Sequence, residues 1–170
     1  GIGKSRITGE LLRRISGSDP SAEVWIGRGD SMCARSPFGL IADAVRSAAG
    51  MRAGEPLAER HEKLTRRVTR SVAPENAARI TEFLGEIAGA PTPAPPSLEL
   101  RAARQDPLLM GDQMRRAWED WVEAECRRGP VLLVLEDLHW GDLPSVQLVD
   151  AAVRHLAKRP FMVLALARPD

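Results

Sequence analysis

Aromatic residues are scarce in this sequence, and tyrosine is absent. Phe, Trp and Tyr together make up 4% of the 170 residues. Proteins that bind single-stranded nucleic acid stack successive bases on aromatic side chains, so this composition argues against such a platform. The net charge of +1 provides no overall attraction to nucleic acid or to an anionic membrane surface either.

Cysteines and long apolar runs are also few. Cys33 and Cys126 are far apart and form neither a metal-binding pair nor a disulfide framework. No apolar run reaches the roughly 18 residues that a membrane-spanning helix needs. We therefore expect a cytoplasmic protein without a membrane partner. Hydrophobic residues at 44% and charged residues at 28% are typical of a globular domain.

Three short apolar runs are predicted to be strands: EVWIG at 23–27, VLLVLED at 131–137 and FMVLALA at 161–167. The last two are continuously apolar, which is typical of parallel strands that helices cover on both faces. Parallel strands joined by helices define an α/β domain, so we expect one domain over residues 1–170 with a helical insertion at about 37–128.

Helical periodicity fills the intervals between these strands. Ser36 and Pro37 are predicted to be the N-cap and first residue of a helix that runs through Val45. Asp106 and Asp142 precede apolar periodicity in the same way. The residues expected to face inward from these two later helices are Met114, Trp118, Trp121, Val122, Val146, Val149, Val153 and Leu156.

The first five residues, GIGKS, match the end of the phosphate-loop pattern G-x-x-x-x-G-K-[ST]. In that motif, backbone N–H groups at a helix N-terminus surround a phosphate. Lys4 would neutralise the β- and γ-phosphates, and Ser5 would offer its hydroxyl to Mg²⁺. Taken alone, the run also fits an ordinary turn that leads into a helix.

A second, acidic element stands at the end of the predicted strand 131–137. Glu136 and Asp137 follow a buried apolar run, where phosphate-loop ATPases place one carboxylate for Mg²⁺ and one for the attacking water. An acidic pair can also simply cap a strand. Both elements occur in the expected order in one α/β chain, and this favours a nucleotide site. Arg168 either reaches the γ-phosphate from the third strand or is a solvated loop residue.

Taken together, the segments GIGKS, LVLEDLHWGDLPS and LALARP resemble the origin-recognition-complex-like AAA ATPase domain of bacterial STAND-type signalling ATPases. The resemblance implies a P-loop NTPase sheet of order 5-1-4-3-2, of which strands 2, 3 and 4 are present here. It also implies a chain cut inside the Walker A loop of a longer protein. Such domains adjoin sensor or Ser/Thr kinase domains and helical repeats, the partners we expect, together with nucleotide-dependent self-association.

The resemblance also implies the site residues. ATP or ADP would contact the loop residues Gly1, Ile2, Gly3, Lys4, Ser5 and Arg6. Glu136 and Ser5 would hold Mg²⁺, Asp137 would orient the water, and Arg168 would act as the sensor. Asp142 belongs to the family's signature together with His139 and Trp140, and we expect it to cap the next helix.

One departure from the family concerns the acidic pair. Many related ATPases have Asp followed by Glu, whereas this chain has Glu136 followed by Asp137. We therefore expect nucleotide binding with slow hydrolysis, which suits a nucleotide-controlled switch. The alternatives are a scaffold that has lost hydrolysis and, less favoured, a DNA-associated ATPase. The basic stretch 60–70 is interpreted as a solvated helix face rather than a nucleic-acid site. Without strand 1, the third predicted strand should have an unpaired edge.

Overall fold

A computed structural model describes residues 2–30 and 37–168, apart from the side chains of residues 2–5, 7, 16 and 18. Seven α-helices and three strands occur in this part of the chain. In chain order they are α1 (Ile2–Ser18), β1 (Glu23–Arg28), α2 (Gly39–Ala49), α3 (Leu57–Thr69), α4 (Pro74–Ala88), α5 (Leu98–Ala103), α6 (Pro107–Cys126), β2 (Val131–Glu136), α7 (Leu143–His155) and β3 (Phe161–Ala165).

The three strands form one parallel sheet with β2 at its centre. Val131 pairs with Glu23 on one side and with Phe161 on the other, so the order is β1-β2-β3. The order and direction are those expected for strands 2, 3 and 4 of a P-loop NTPase, and the α/β prediction is confirmed. No helix within 2–30 or 37–168 is long and apolar enough to cross a membrane.

The main core lies on one face of the sheet. Trp25 of β1 is fully buried and stacks on Trp121 of α6, with ring centroids 4.5 Å apart and an interplanar angle of 8°. Trp118 meets both rings edge-on. The prediction that Trp118 and Trp121 face inward is therefore confirmed. Their rings pack α6 against the sheet.

Two predictions about helices were wrong. Helix α2 begins at Gly39, because Phe38 has a left-handed backbone with φ of 65°, and it continues to Ala49. Pro37 therefore precedes the helix, and the predicted N-cap Ser36 lies outside the described residues. In α7, Val146 and Val153 are 40% and 45% exposed. The predicted Val149 and Leu156 are buried, and the other buried positions of α7 are Ser145, Leu148 and Ala152.

The strand β3 is less covered than its sequence suggests. Met162 is 51% exposed, and among the described residues β3 pairs with β2 alone. The prediction that helices cover this strand on both faces was therefore wrong here. The expectation of an unpaired edge agrees with this arrangement. The short helix α5 was not predicted from the sequence.

Candidate functional site

The candidate site lies at the carboxyl edge of the sheet, where β1 and β2 end side by side. Arg28 is the last residue of β1 and Glu136 the last residue of β2, and the parallel register places them directly opposite each other. In open α/β sheets ligands bind beyond the carboxyl ends of the strands, where loops connect the strands to the helices.

A direct ion pair joins the two strand ends. The Arg28 Nε donates to Glu136 Oε2 at 2.8 Å. The side chain of Glu136 remains 23% exposed and that of Arg28 is 62% exposed, so solvent reaches both groups. Sequence reasoning missed Arg28 as a site residue. The signal that could have identified it is a cation at the end of β1, the strand next to the one that ends in the acidic pair.

The loop after β2 has a tightly constrained backbone. Asp137 adopts a left-handed conformation with φ of 52° and ψ of 45°, which non-glycine residues seldom adopt. The Gly29 N–H donates to the Glu136 carbonyl at 2.9 Å, and the Leu138 N–H donates to the Leu166 carbonyl at 2.9 Å. A side chain at Gly29 would clash, since its Cβ would lie 2.4 Å from the Asp137 carbonyl oxygen. The neighbouring strand ends thus define the direction in which the loop leaves the sheet.

Asp142 connects this loop to two helices. Its Oδ1 accepts from the Ser145 N–H at 2.8 Å, which caps α7 as predicted. The same oxygen accepts from the Phe38 N–H at 2.7 Å, and Oδ2 accepts from the Ser145 hydroxyl at 2.8 Å. Asp142 is buried. One signature carboxylate therefore holds the start of α7 against the start of α2.

A cleft of about 770 Å³ opens beside these residues. Its lining includes Arg28, Asp43, Arg46, Asp137 and Trp140. Trp140 lies in a short 3₁₀ helix, Leu138–Trp140, and is 45% exposed. The cleft has the size of a small-molecule site and contains charges of both signs.

The predicted phosphate-loop residues lie at the start of α1. The helix begins at Ile2, so Gly3, Lys4 and Ser5 are in its first turn, where backbone N–H groups point out of the helix. Gly1 and the side chains of Ile2, Lys4 and Ser5 lie outside the described part. Arg6 follows on α1 with an exposed side chain.

Arg168 follows β3 at the same edge of the sheet. Its side chain is exposed. It lies two residues after Leu166, whose carbonyl accepts from the Leu138 N–H in the loop after β2. The ion-pair partner of Glu136 in the described part of the chain is Arg28 and not Arg168. The structure thus brings Glu136 together with Arg28 rather than with the predicted sensor.

The donor groups fit a magnesium nucleotide. Carboxylate and hydroxyl oxygens are the ligands that Mg²⁺ prefers, and Mg²⁺ usually keeps several waters and takes one or two protein carboxylates. Glu136 is partly exposed at the strand end, and only its Oε2 engages Arg28. The Glu136 carboxylate is thus a suitable donor for Mg²⁺ at this edge of the sheet. Within 2–30 and 37–168, no cluster of three or more His, Cys, Asp or Glu side chains is arranged as an all-protein metal site.

The basic stretch 60–70 is neutralised by acidic side chains. Lys63 pairs with Glu55, and Arg66 pairs with Glu62. Arg67 is buried, and its Nη1 donates to Glu125 at 2.7 Å. The stretch was interpreted as a solvated helix face. For Arg67 that interpretation was wrong, because its guanidinium is buried in the core.

Comparison with known proteins identifies the family of this fold and site. Residues 1–164 match the AAA ATPase domain, and the chain belongs to this family of P-loop ATPase domains. A protein of Rhizobium meliloti (strain 1021), described as uncharacterized, is 37% identical over 68 residues. The match covers 40% of this chain and 7% of that protein's length. No solved structure matches the chain.

Proposed function

We propose that this chain binds ATP or ADP with Mg²⁺ at the carboxyl edge of its sheet. The observation that carries the proposal is the acidic pair Glu136–Asp137, which follows the buried strand β2 of a chain in the AAA ATPase domain family. In such a site Lys4 would neutralise phosphate charge, while Ser5 and Glu136 would hold the metal. Asp137 would orient the attacking water.

We further propose that the domain works as a slow, nucleotide-controlled switch in bacterial signal transduction, in the manner of STAND-type ATPases. Asp137 is a shorter carboxylate than the Glu found at this position in many relatives, so its reach toward a water molecule is reduced. Slow hydrolysis lengthens the ATP-bound state, and a long-lived state is what a switch needs. Flanking sensor, kinase or repeat domains, and self-association, would supply the output. The relative's much greater length supports a larger parent protein.

The test is titration calorimetry with Mg-ATP. We expect binding that Lys4→Ala abolishes. Lys158→Ala is the matched control, because Lys158 is an exposed lysine beyond α7 and removes the same charge. Equal binding by both variants would refute the assignment of Lys4.

A scaffold without hydrolysis is the second candidate, and the reversed acidic pair favours it. Single-turnover hydrolysis of ATP separates the two. Turnover that Asp137→Ala eliminates supports the switch. Binding without any turnover above that of Asp137→Ala supports a scaffold, and absence of binding in the folded protein overturns both nucleotide proposals.

A further inference from the structure

Asp43 of α2 contacts the end of β1 beside the candidate site. Its Oδ2 accepts a hydrogen bond from the Arg28 backbone N–H at 3.1 Å. The side chain of the same arginine donates from Nε to Glu136 Oε2 at 2.8 Å. Arg28 therefore connects a carboxylate of a helix to the acidic strand end, with its backbone bound to Asp43 and its guanidinium bound to Glu136.

The Arg28 N–H points to the open side of β1. Successive N–H groups of a strand point to alternate sides, and the next one, the Gly29 N–H, donates to the Glu136 carbonyl of β2. Among the strands of the described residues β1 pairs with β2 alone, so no strand there accepts from the Arg28 N–H. Asp43 supplies the acceptor that a further strand would otherwise provide.

A close contact between α2 and β1 places Asp43 within reach of the strand end. A Cβ at Gly27 would lie 2.4 Å from the Leu40 carbonyl oxygen, so the helix backbone lies directly against the strand. Asp43 comes about one helical turn after Leu40, and Arg28 is the residue after Gly27. The position of the carboxylate is therefore set by the packing of α2 on β1.

The second oxygen of Asp43 faces a cation of its own helix. Oδ1 lies 3.5 Å from Arg46 Nη2, and Arg46 also donates from Nη1 to the Ala88 carbonyl at 3.4 Å. Asp43 lines the cleft beside the acidic loop. Its two oxygens thus have different contacts, one with Arg46 and the other with the end of β1.

The exposed guanidinium of Arg28 depends on its backbone for its position. It is reached by solvent and stands on a flexible stem, so ordering it against Glu136 costs conformational entropy. A strand end whose N–H lacks a partner opens more readily. We propose that Asp43 is a positioning residue, which fixes the end of β1 and thereby holds Arg28 on the Glu136 oxygen that Mg²⁺ would use. The part that concerns Mg²⁺ rests on the proposed function.

The first test needs neither nucleotide nor metal. In the ¹⁵N-labelled chain the Arg28 Nε–H resonance is assigned by its loss in Arg28→Ala, and its exchange with water reports the bond to Glu136. We expect Asp43→Ala to speed this exchange about threefold. Asp43→Asn keeps an oxygen acceptor for the Arg28 N–H and should leave it unchanged. The control is Asp112→Ala, which removes a similarly exposed carboxylate from α6.

The second test measures the Mg²⁺ concentration for half-maximal nucleotide binding. Asp43→Ala should lower it about twofold, in the same direction as Arg28→Ala but by less, because Asp43 acts through Arg28. Adding Asp43→Ala to Arg28→Ala should change nothing further. A general loss of stability gives no such pattern. A rise shared by Asp43→Ala and Asp43→Asn would show that Asp43 acts through its charge, and would overturn the positioning role.

The two measurements distinguish a failure of this proposal from a failure of the nucleotide function. If no variant binds nucleotide and Asp43→Ala still speeds the exchange at Arg28, the nucleotide function is refuted and Asp43 remains the residue that positions the ion pair. If nucleotide binds but the exchange is the same in Asp43→Ala and Asp112→Ala, the positioning role is refuted and the nucleotide function stands.

Discussion

The Asp142 carboxylate accepts a hydrogen bond from the Phe38 N–H at 2.7 Å, across 104 positions of sequence. Phe38 has a left-handed backbone, and Asp142 is the N-cap of α7. A single side chain thus caps one helix and holds the residue that starts another. The loop that carries Glu136 and Asp137 is fixed between the two helices as a result.

Removing this carboxylate should destabilise the fold strongly. Asp142→Ala loses the α7 cap, worth about 1 kcal/mol, and leaves the Phe38 N–H without its partner, which costs about 1–3 kcal/mol. We expect a loss of about 2–4 kcal/mol in the free energy of unfolding, measured by urea denaturation. The control is Asp106→Ala, whose exposed carboxylate caps only α6. Equal losses in both variants would show that the Phe38 contact contributes nothing.

The close approach of α2 to β1 predicts a steric effect at Gly27. A Cβ there would lie 2.4 Å from the Leu40 backbone oxygen, a contact that requires the helix or the strand to move. We expect Gly27→Ala to lower the free energy of unfolding by about 3 kcal/mol. Gly111→Ala, in α6 with no atom within 4 Å of the added Cβ, should instead raise it by about 1 kcal/mol. Denaturation curves in which both variants are stabilised would contradict the predicted clash.

The buried ion pair between α3 and α6 should be sensitive to the loss of one partner. Arg67 Nη1 donates to Glu125 at 2.7 Å, and the guanidinium lies 5.9 Å from the ring centroids of both Trp25 and Trp121. Glu125→Ala removes the fully buried partner of this cation and leaves it the half-buried Glu23, whose Oε2 is 3.3 Å from Arg67 Nη2, so we expect a loss of about 2–3 kcal/mol in the free energy of unfolding.

Tryptophan fluorescence during urea unfolding measures this effect, since the rings adjoin the pair. Glu62→Ala removes the partner of the exposed Arg66 on the same helix and should change stability little. A small effect of Glu125→Ala, similar to that of Glu62→Ala, would mean that water reaches Arg67 and replaces its partner.

The ion pair at the strand ends should influence the metal. Arg28 engages the Glu136 oxygen that would otherwise be available toward Mg²⁺. We expect Arg28→Ala to lower the Mg²⁺ concentration for half-maximal nucleotide binding about fivefold, the equivalent of roughly 1 kcal/mol for an exposed pair. Arg13→Ala removes an arginine from an exposed pair on α1 and is the control. An unchanged Mg²⁺ requirement in Arg28→Ala would show that Glu136 is not a ligand of the metal.

The buried thiol of Cys126 should react slowly. Burial raises its pKa from 9.0 to about 11. The folded protein therefore keeps the thiol protonated between pH 9 and 11, where the unfolded chain ionises, and this group's contribution to stability falls as pH rises through that window. In a Cys33→Ser background at pH 8, we expect iodoacetamide to alkylate the native protein about 100-fold more slowly than the urea-unfolded protein. Equal rates would show that the thiol is accessible and ionises normally.

The strands and several helix starts could be predicted because their determinants are local. The run VLLVL of β2 is apolar throughout before the strand ends at Glu136, and Asp106 precedes Pro107 in a combination that favours an N-cap and a first helical residue. The acidic pair after β2 was recognisable for the same reason, since it directly follows the buried strand. The roles of Lys4, Ser5, Asp137 and Arg168 in nucleotide chemistry stay predictions.

Other features depended on contacts between distant residues. Helix α2 starts later than predicted because Asp142 holds Phe38 in a left-handed conformation that no local pattern favours. Helix α7 buries Val149 and Leu156 as predicted, but the residue before Val146, Ser145, is the one that lies in the interface, where its hydroxyl accepts from the Ile41 N–H at 3.3 Å. Hydrophobicity alone had predicted that Val146 and Val153 also face inward, but both are exposed.

The sequence by itself determined the α/β class, the strand positions and the acidic strand end, because burial periodicity and capping act over a few residues. Only the tertiary structure decided that Arg28 meets Glu136 and that Asp142 joins two helices. These pairings depend on strand register and helix packing, which bring together residues about a hundred positions apart. No local pattern encodes such a contact, since it exists only once the sheet and its helices have assembled.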